Sequence, residues 1–397
     1  EYSTYGSGNY SASVSLAPFS RTLPVHGTLE NSRFNSENKI NWNSSERRYN
    51  PSNPDNAPVS TAYTGTGVKV GITDGGFNNE SNWNAARSIA RNVERLGTPN
   101  NSSSNTHGVD VLATSVLNAP NADYVILDSS AGATSVYADA RYYKRMIDYG
   151  VRIFNNSFGH VETHNNARSV LGSDAYDVFK EGINKGALFV WSGGNVPSSV
   201  IPGKNGNLPR LDPSFEKGWL NVVGIVPKDF SNNFNFDNLM PLSPAGSSKY
   251  WTLSALGYIK RDNGDIEYGS SFAAPRVSGA AAAIKSKYSF MNGDLLRQTI
   301  LSTATDIGDP GVDDIYGWGL LDLEKALKGP ALFDRRLALG DKVNIQLDGG
   351  NYSFDNNISG DAGLNLTGTG TLTLNGTNTY TGETTIGSGA YLKIRKV

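Results

Sequence analysis

Residues 269–288 read GSSFAAPRVSGAAAAIKSKY, and this stretch constrains the fold more than any other part of the sequence. Its alanines favour a helix. Pro275 falls within the first turn or so, where backbone N–H groups lack intrahelical partners in any case. The small side chains are typical of a helix packed tightly against its neighbours. We therefore predict a buried helix here, with Ser271 at its start.

Short apolar runs rich in β-branched residues precede this helix and predict buried strands. They lie at residues 68–73, 124–127, 151–154, 187–191 and 220–225. Helix-length segments lie between several of them, at residues 107–117, 133–149 and 175–185. This alternation predicts an α/β fold, in which a parallel sheet is covered by helices on both faces.

The two ends of the chain differ from this α/β region, which we place at residues 59–330. Residues 1–58 are rich in Asn, Ser, Tyr and Gly, and they predict an irregular N-terminal arm that lies on the next domain and could include short strands, with partial disorder as the alternative. Residues 331–397 predict a linker and then short strands, because Thr, Leu, Ile and Tyr alternate with polar residues between glycines. That pattern predicts the start of a β-solenoid, whose further rungs would follow Val397.

Composition excludes several classes of protein. The chain has 397 residues, no cysteine and a formal net charge of −2. It therefore has no thiolate nucleophile, no Cys-bound zinc site and no overall attraction to nucleic acid. Nowhere do enough apolar residues run together for a transmembrane helix. Because the first residue is Glu1 rather than Met, we expect that a leader was removed or that the chain was trimmed.

Four histidines limit the search for a general base: His26, His107, His160 and His164. His107 alone begins a predicted helix with an apolar face. A helix N-terminus disfavours the imidazolium ion, so we expect His107 to be neutral and able to accept a proton.

Three more polar residues lie where sites form. Asp74 ends the first predicted strand, and a carboxylate at that edge of a parallel sheet can orient an imidazole. A nucleotide-binding turn is the alternative there, although no third glycine opens a helix at the needed spacing. Asn195 follows the strand at 187–191 and could donate to a developing negative charge, but taken alone it suits an ordinary turn. Ser271 taken alone suits a helix N-cap better than a nucleophile.

Taken together, five segments resemble the subtilisin-like serine proteases: ITDGG (72–76), HGVDVLA (107–113), NNSFG (155–159), SGGN (192–195) and GSSFAAPRVSG (269–279). The order Asp, His, Asn, Ser is that family's order, whereas chymotrypsin-type enzymes and α/β-hydrolases have other orders. The resemblance covers about residues 60–328. It implies a subtilisin-like three-layer fold with a mostly parallel sheet.

The resemblance also implies roles for individual residues. Ser271 would be the nucleophile, His107 the general base and acid, and Asp74 the orienting carboxylate. Asn195 and the backbone N–H of Ser271 would form the oxyanion hole. Phe158 and the neighbouring glycines predict a preference for large apolar side chains before the scissile bond, with a sequence-tolerant cleft as the alternative. The walls of this specificity pocket would be Ser157, Phe158 and Gly159 on one side and Gly193 and Gly194 on the other.

Gly75 is a departure from the family, which usually has Ser or Thr after the catalytic Asp. One hydrogen bond to the Asp74 carboxylate would then be missing. No member of the triad is deleted, so we expect an active enzyme. Neither a cofactor nor a metal site is implied.

The segment after the α/β region extends the resemblance. DIYGWGLLDLEKAL (314–327) and GTGTLTLNGTNTYTGETTIGSGAYLKI (368–394) are similar to segments of autotransporter passengers. This similarity implies a Gram-negative protein that is secreted or displayed on the cell surface via the outer membrane. It also implies a β-helical stalk and a membrane barrel beyond Val397.

We therefore expect a monomeric serine endopeptidase that acts on protein or peptide substrates through an acyl-enzyme, with no nucleic-acid partner. A different class remains as the alternative, namely a non-catalytic adhesin or structural passenger with a protease-like domain. An esterase would use the same triad.

Overall fold

The computed structural model describes residues 1–11, 62–77, 79–96, 105–128, 140–159, 166–196, 205–231, 238–260 and 265–395. The strands are β1 (Tyr2–Tyr5), β2 (Gly8–Tyr10), β3 (Lys69–Asp74), β4 (Asn92–Leu96), β5 (Asp123–Asp128), β6 (Ile153–Asn156), β7 (Leu188–Ser192), β8 (Trp219–Pro227), β9 (Leu239–Pro241), β10 (Thr252–Leu256), β11 (Tyr258–Lys260), β12 (Ile266–Tyr268), β13 (Lys342–Phe354), β14 (Gly363–Leu374), β15 (Thr384–Ile386) and β16 (Ala390–Arg395). The helices are α1 (Glu80–Ile89), α2 (His107–Asn118), α3 (Ala140–Asp148), α4 (Ala167–Leu171), α5 (Ser173–Asn184), α6 (Ala273–Lys287), α7 (Gly293–Thr303), α8 (Leu323–Ala326) and α9 (Arg335–Ala338).

The main sheet has the strand order β10-β8-β7-β6-β3-β5-β4. Every neighbouring pair on this path is parallel, and β9 adds to β8 in the antiparallel direction. The predicted α/β fold with a mostly parallel sheet is confirmed. Among the helices in the described ranges, none combines the length and the hydropathy that a membrane crossing requires.

Helices cover both faces of the main sheet, because successive side chains of a strand point to opposite faces. On one face Phe154 and Phe189 pack with Tyr143 of α3 and Phe179 of α5. On the other face apolar strand residues such as Ile72 pack with α2 and α6. The result is three layers, with the carboxyl ends of the strands at one edge.

Helix α6 is the central helix of that second face. Residues 273–284 are all buried, which explains why the helix is built from small side chains. A Cβ added at Gly279 would lie only 2.3 Å from the carbonyl oxygen of Ser115 in α2. This close approach fixes α6 relative to α2, whose first residue is His107.

The described part of the N-terminal arm does not lie on the α/β domain. Strands β1 and β2 pair antiparallel with β16 and β15 at the other end of the chain. The short strands that the sequence allows are therefore present in residues 1–11, where they form the two edges of the C-terminal sheet. Residues 12–61 lie outside the described residues.

Strands β13 to β16 of the C-terminal sheet pair in parallel. Lys342 of β13 pairs with Gly363 of β14, and Leu364 of β14 pairs with Thr384 of β15, so equivalent positions recur after roughly 20 residues. Four leucines of β14 are fully buried: Leu364, Leu366, Leu372 and Leu374. The identification of the C-terminal sheet as the start of a solenoid stays a prediction.

The C-terminal segment docks on the α/β domain through a buried ion pair. Arg336 of α9 donates from both terminal nitrogens to the carboxylate of Glu216, at 2.7 and 3.0 Å. The Glu216 side chain is completely buried, whereas that of Arg336 is 19% exposed. Next to it, Arg335 pairs with Asp341, which is 59% exposed.

The buried pair of Arg336 should contribute more to the free energy of unfolding than the exposed pair of Arg335. We expect Arg336→Ala to lower the free energy of unfolding by about 3 kcal/mol, because it removes the cation that makes two hydrogen bonds to a buried carboxylate. The matched control Arg335→Ala should cost at most about 1 kcal/mol, since its partner is exposed to water. Urea unfolding of both variants measures the difference, and equal losses would contradict it.

Candidate active site

Asp74 and His107 meet at the carboxyl edge of the main sheet. Asp74 is the last residue of β3 and His107 the first residue of α2, and Nδ1 of His107 lies 2.7 Å from Oδ1 of Asp74. The start of α2 is pressed against the end of the strand, because the backbone N–H of Gly108 donates to the carbonyl of Gly75 at 3.0 Å. A Cβ at Gly108 would lie 2.4 Å from that carbonyl oxygen, so a glycine is required there.

The contact with Asp74 determines which imidazole nitrogen can act as a base. A carboxylate accepts from Nδ1–H, which leaves the lone pair on Nε2. Burial lowers the pKa of His107, but the charge and hydrogen bond of Asp74 raise it, and so do the charges of Glu267 and Asp110, so that the net pKa is raised. The helix N-terminus was the only influence considered from the sequence, whereas in the folded protein three nearby carboxylates act on the pKa of His107 in the opposite direction.

The Asp74 carboxylate is only partly satisfied. Its Oδ1 also accepts from the backbone N–H of Gly75 at 2.8 Å. Its Oδ2 is buried and has no hydrogen-bond partner. The prediction that Gly75 leaves one bond to the carboxylate missing is confirmed, since glycine has no hydroxyl to donate.

Ser271 lies in the 3₁₀ turn Ser270–Phe272, immediately before α6. The ring of Phe272 lies 5.9 Å from the ring of His107, measured between centroids, which brings this turn next to the imidazole. The Ser271 hydroxyl donates to the carbonyl of Ser157 at a long 3.4 Å, and not to His107. It does not cap a helix either, so the N-cap explanation was wrong. Hydrogen bonds of catalytic groups are often long or misaligned in unbound enzymes.

The side-chain nitrogen of Asn195 and the backbone nitrogen of Ser271 both lie near Gly269. Oδ1 of Asn195 accepts from the backbone N–H of Ser270 at 2.7 Å, which fixes the amide and leaves its Nδ2 to donate elsewhere. A Cβ built on Gly269 would lie 3.8 Å from Nδ2 of Asn195 and 3.8 Å from the backbone N of Ser271. The ordinary-turn alternative for Asn195 misses this contact between two segments distant in sequence.

The two predicted pocket walls are each bonded to the serine turn. The Ser157 hydroxyl donates to the carbonyl of Ser271 at 2.8 Å. On the other side the backbone N–H of Gly194 donates to the hydroxyl of Ser270 at 3.1 Å, and that of Gly193 donates to the carbonyl of Val222 at 2.8 Å. The structure therefore brings both segments to the same turn.

Phe158 is placed differently from our expectation. Its side chain is only 7% exposed and packs edge-on against Trp191, with ring centroids 5.6 Å apart. The ring belongs to the core of the α3 and α5 face rather than to an open wall. The argument from Phe158 for a large apolar substrate side chain therefore loses its basis.

The remaining candidates are the other three histidines and a glutamate that the sequence analysis did not consider. His26, His160 and His164 lie outside the described residues. Glu267 was missed by sequence reasoning, although its position four residues before Ser271 could have indicated it. Within the described ranges, no group of three or more acidic or histidine side chains could hold a metal ion.

Glu267 should have a measurable effect on the imidazole. We expect Glu267→Gln to lower the pKa of His107, because a negative charge that stabilises the imidazolium is removed. His107 then changes from the protonated form to the free base at a lower pH. Titration of its Cε1–H resonance by NMR measures this, and Glu383→Gln in the C-terminal sheet is the control. An unchanged or higher pKa in Glu267→Gln would contradict the prediction.

Comparisons with known proteins place the chain in a family. Residues 65–319 match the model of the subtilase family, Peptidase S8. The chain is 34% identical over 315 residues to the Neisserial autotransporter lipoprotein NalP of Neisseria meningitidis, which covers 68% of this chain and 29% of that relative. It is 26% identical over 269 residues to an extracellular serine protease of Serratia marcescens, over 55% of this chain and 26% of the relative.

The chain thus spans less than a third of the length of these relatives. Among solved structures, fervidolysin from Fervidobacterium pennivorans is similar with a TM-score of 0.49 and 17% identity, over 82% of this chain and 52% of that one. The family match covers more than half of the chain, and with the first of these relatives it shows that the chain belongs to the subtilase family.

Proposed function

We propose that this chain is the catalytic part of a secreted or cell-surface endopeptidase that works through an acyl-enzyme, with Ser271, His107 and Asp74 as its triad. The observation that carries the proposal is the 2.7 Å contact between Asp74 and His107. It leaves Nε2 of the imidazole as a base beside the turn that contains the serine. A hydroxyl becomes a useful nucleophile only when such a base takes its proton.

Formation of the acyl-enzyme requires one side-chain rotation. The Ser271 hydroxyl has only a long bond to the Ser157 carbonyl, so turning its oxygen toward Nε2 of His107 breaks little. The hydroxyl oxygen then attacks the scissile carbonyl while Nε2 takes the proton. Asp74 holds the imidazole in place and stabilises its positive charge.

The oxyanion of the tetrahedral intermediate is the next charge to be stabilised. Nδ2 of Asn195 and the backbone N–H of Ser271 both lie beside Gly269, where they can donate to one oxygen. Because Oδ1 of Asn195 is already bonded to Ser270, the amide needs no reorientation during the reaction. His107 then protonates the leaving amine, and water hydrolyses the ester formed on Ser271.

The location of the protein is part of the proposal. The relatives are named as an autotransporter lipoprotein and as an extracellular serine protease. By analogy with them, we propose that this chain reaches the cell surface or the medium as an autotransporter passenger of a Gram-negative bacterium. Its substrates would then be proteins or peptides outside the cell.

A non-catalytic passenger is the second candidate function. The observation that favours it is the Ser271 hydroxyl, which donates to Ser157 instead of His107. A serine-directed phosphonate separates the two functions, because it bonds covalently only to a serine that a base activates.

Ser271→Ala should abolish both peptide hydrolysis and labelling by the phosphonate. We expect kcat to fall by several orders of magnitude while the free energy of unfolding stays nearly constant, because the hydroxyl makes one long bond only. Peptide hydrolysis and phosphonate labelling followed by mass spectrometry measure the effect. Equal activity in the variant, or no labelling of the unaltered protein, would refute the proposed function.

Asn195→Ala tests the oxyanion hole. We expect kcat to fall by about 10²–10³ with a small change in KM, because the donated hydrogen bond forms in the transition state. Asn344→Ala in the C-terminal sheet is the control and should leave kcat unchanged. A loss confined to KM in Asn195→Ala would argue for substrate binding instead.

A further inference from the structure

Four buried polar side chains at the carboxyl end of the main sheet each have one hydrogen-bonding atom without a partner. These atoms are Nδ2 of Asn156, Nε1 of Trp191, Oδ1 of Asn205 and Oδ1 of Asn221. Each side chain is at most 2% exposed. Buried polar atoms are nearly always paired, so four exceptions on neighbouring elements call for an explanation. We name these four residues the polar cluster.

The sheet places three members of the cluster side by side. Strand pairing aligns Asn156 of β6 with Trp191 of β7, and Trp191 with Asn221 of β8. Partners in parallel strands point to the same face, so the three side chains form a row. Asn205 lies near the same face, because its backbone carbonyl accepts a hydrogen bond from Nε1 of Trp219 at 2.7 Å, and Trp219 packs on that face with Trp191.

The polar cluster lies against both walls of the predicted specificity pocket. A Cβ added at Gly159 would lie 3.2 Å from Nδ2 of Asn205. A Cβ added at Gly193 would lie 3.4 Å from Oδ1 of Asn221. The cluster therefore lies directly behind the glycines of both walls, where the smallest possible residues separate it from the predicted pocket.

The orientation of the Asn221 amide follows from its neighbours. Its Nδ2 donates to the hydroxyls of Ser248 and Thr252, at 3.2 and 3.1 Å. Those hydroxyls donate their own protons to the carbonyls of Ala245 and Ser248, at 2.6 Å each. The amide nitrogen is thus held on that side, and the unpaired atom of Asn221 is an acceptor.

The cluster consequently offers two acceptors and two donors, and none of its members carries a charge. The Asn156 acceptor is already used by the hydroxyl of Tyr143 at 2.9 Å, which leaves the Asn156 nitrogen as a donor. An ionised substrate side chain would be buried here without a counter-charge, at a high cost in free energy. A hydrocarbon side chain would leave the donors and acceptors unpaired.

We propose that the specificity pocket selects a carboxamide side chain, Gln or Asn, at the substrate residue before the scissile bond. A carboxamide has two N–H donors for the oxygens of Asn205 and Asn221 and a carbonyl for the N–H groups of Trp191 and Asn156. This inference rests on the proposed function, since it concerns the peptide that Ser271 attacks. It replaces the preference for large apolar side chains expected from the sequence.

A peptide series that differs only at this position tests the inference. Gln, Glu and Met form one set of similar size, and Asn, Asp and Leu form another. We expect kcat/KM for Gln to exceed that for Met and for Glu by at least about tenfold, because a site built for hydrogen bonds rejects analogues that lack them. Faster cleavage after Met, Leu or Phe than after Gln and Asn would overturn the proposal.

Two variants attribute the selectivity to the cluster. Trp191→Phe removes the Nε1 donor and keeps an aromatic ring, and Asn205→Leu removes the acceptor at similar volume. Both should lower the Gln-to-Met ratio of kcat/KM by about tenfold. The control is Trp318→Phe. The indole of Trp318 is not part of the cluster and donates to the backbone carbonyl of Tyr250 at 2.9 Å, so this variant should leave the ratio unchanged. An unaltered ratio in both cluster variants would refute the assignment.

Phosphonate labelling of Ser271 separates a failure of this inference from a failure of the proposed function. Labelling together with cleavage after apolar residues refutes the carboxamide pocket alone, and so does labelling without cleavage of any peptide in the series. Neither labelling nor cleavage refutes the proposed function, and the pocket inference falls with it. The same label confirms that each variant retains a folded, reactive site.

Discussion

The hydrogen bond between Asp74 and His107 is the interaction on which the rest of the site depends. It joins the end of a buried strand to the first residue of a helix, and both are fixed by backbone contacts such as that between Gly108 and Gly75. The bond selects the tautomer of the imidazole and raises its pKa against the effect of burial. Without it, the serine turn would face an imidazole with neither a defined orientation nor a stabilised cation.

The packing of α6 brings the serine turn to this pair. Small side chains let α6 lie close to α2, and the 3₁₀ turn before it carries Ser271 to the carboxyl edge of the sheet. The same turn bonds to both segments that flank the cleft, through Ser157 and Gly194. The geometry of the site is therefore a consequence of helix packing as much as of the reactive residues themselves.

The polar cluster shows a second constraint at the same edge. Asn156, Trp191 and Asn221 lie side by side on the neighbouring strands β6, β7 and β8. All three side chains are buried away from water. Unpaired buried atoms cost free energy in the unbound protein. A substrate that pairs them recovers that free energy on binding, which is a physical basis for selectivity.

The sequence by itself determined the strand–helix alternation and the buried helix, and it singled out Asp74, His107, Asn195 and Ser271 as candidate site residues, because local pattern and short motifs carry that information. It also indicated the missing bond at Gly75. Only the tertiary structure decided that Phe158 points into the core, that Glu267 acts on His107 and that residues 1–11 pair with the C-terminal sheet. The polar cluster likewise joins residues far apart in the chain. Side-chain direction, burial and long-range pairing depend on contacts between distant segments, and a linear pattern does not specify those contacts.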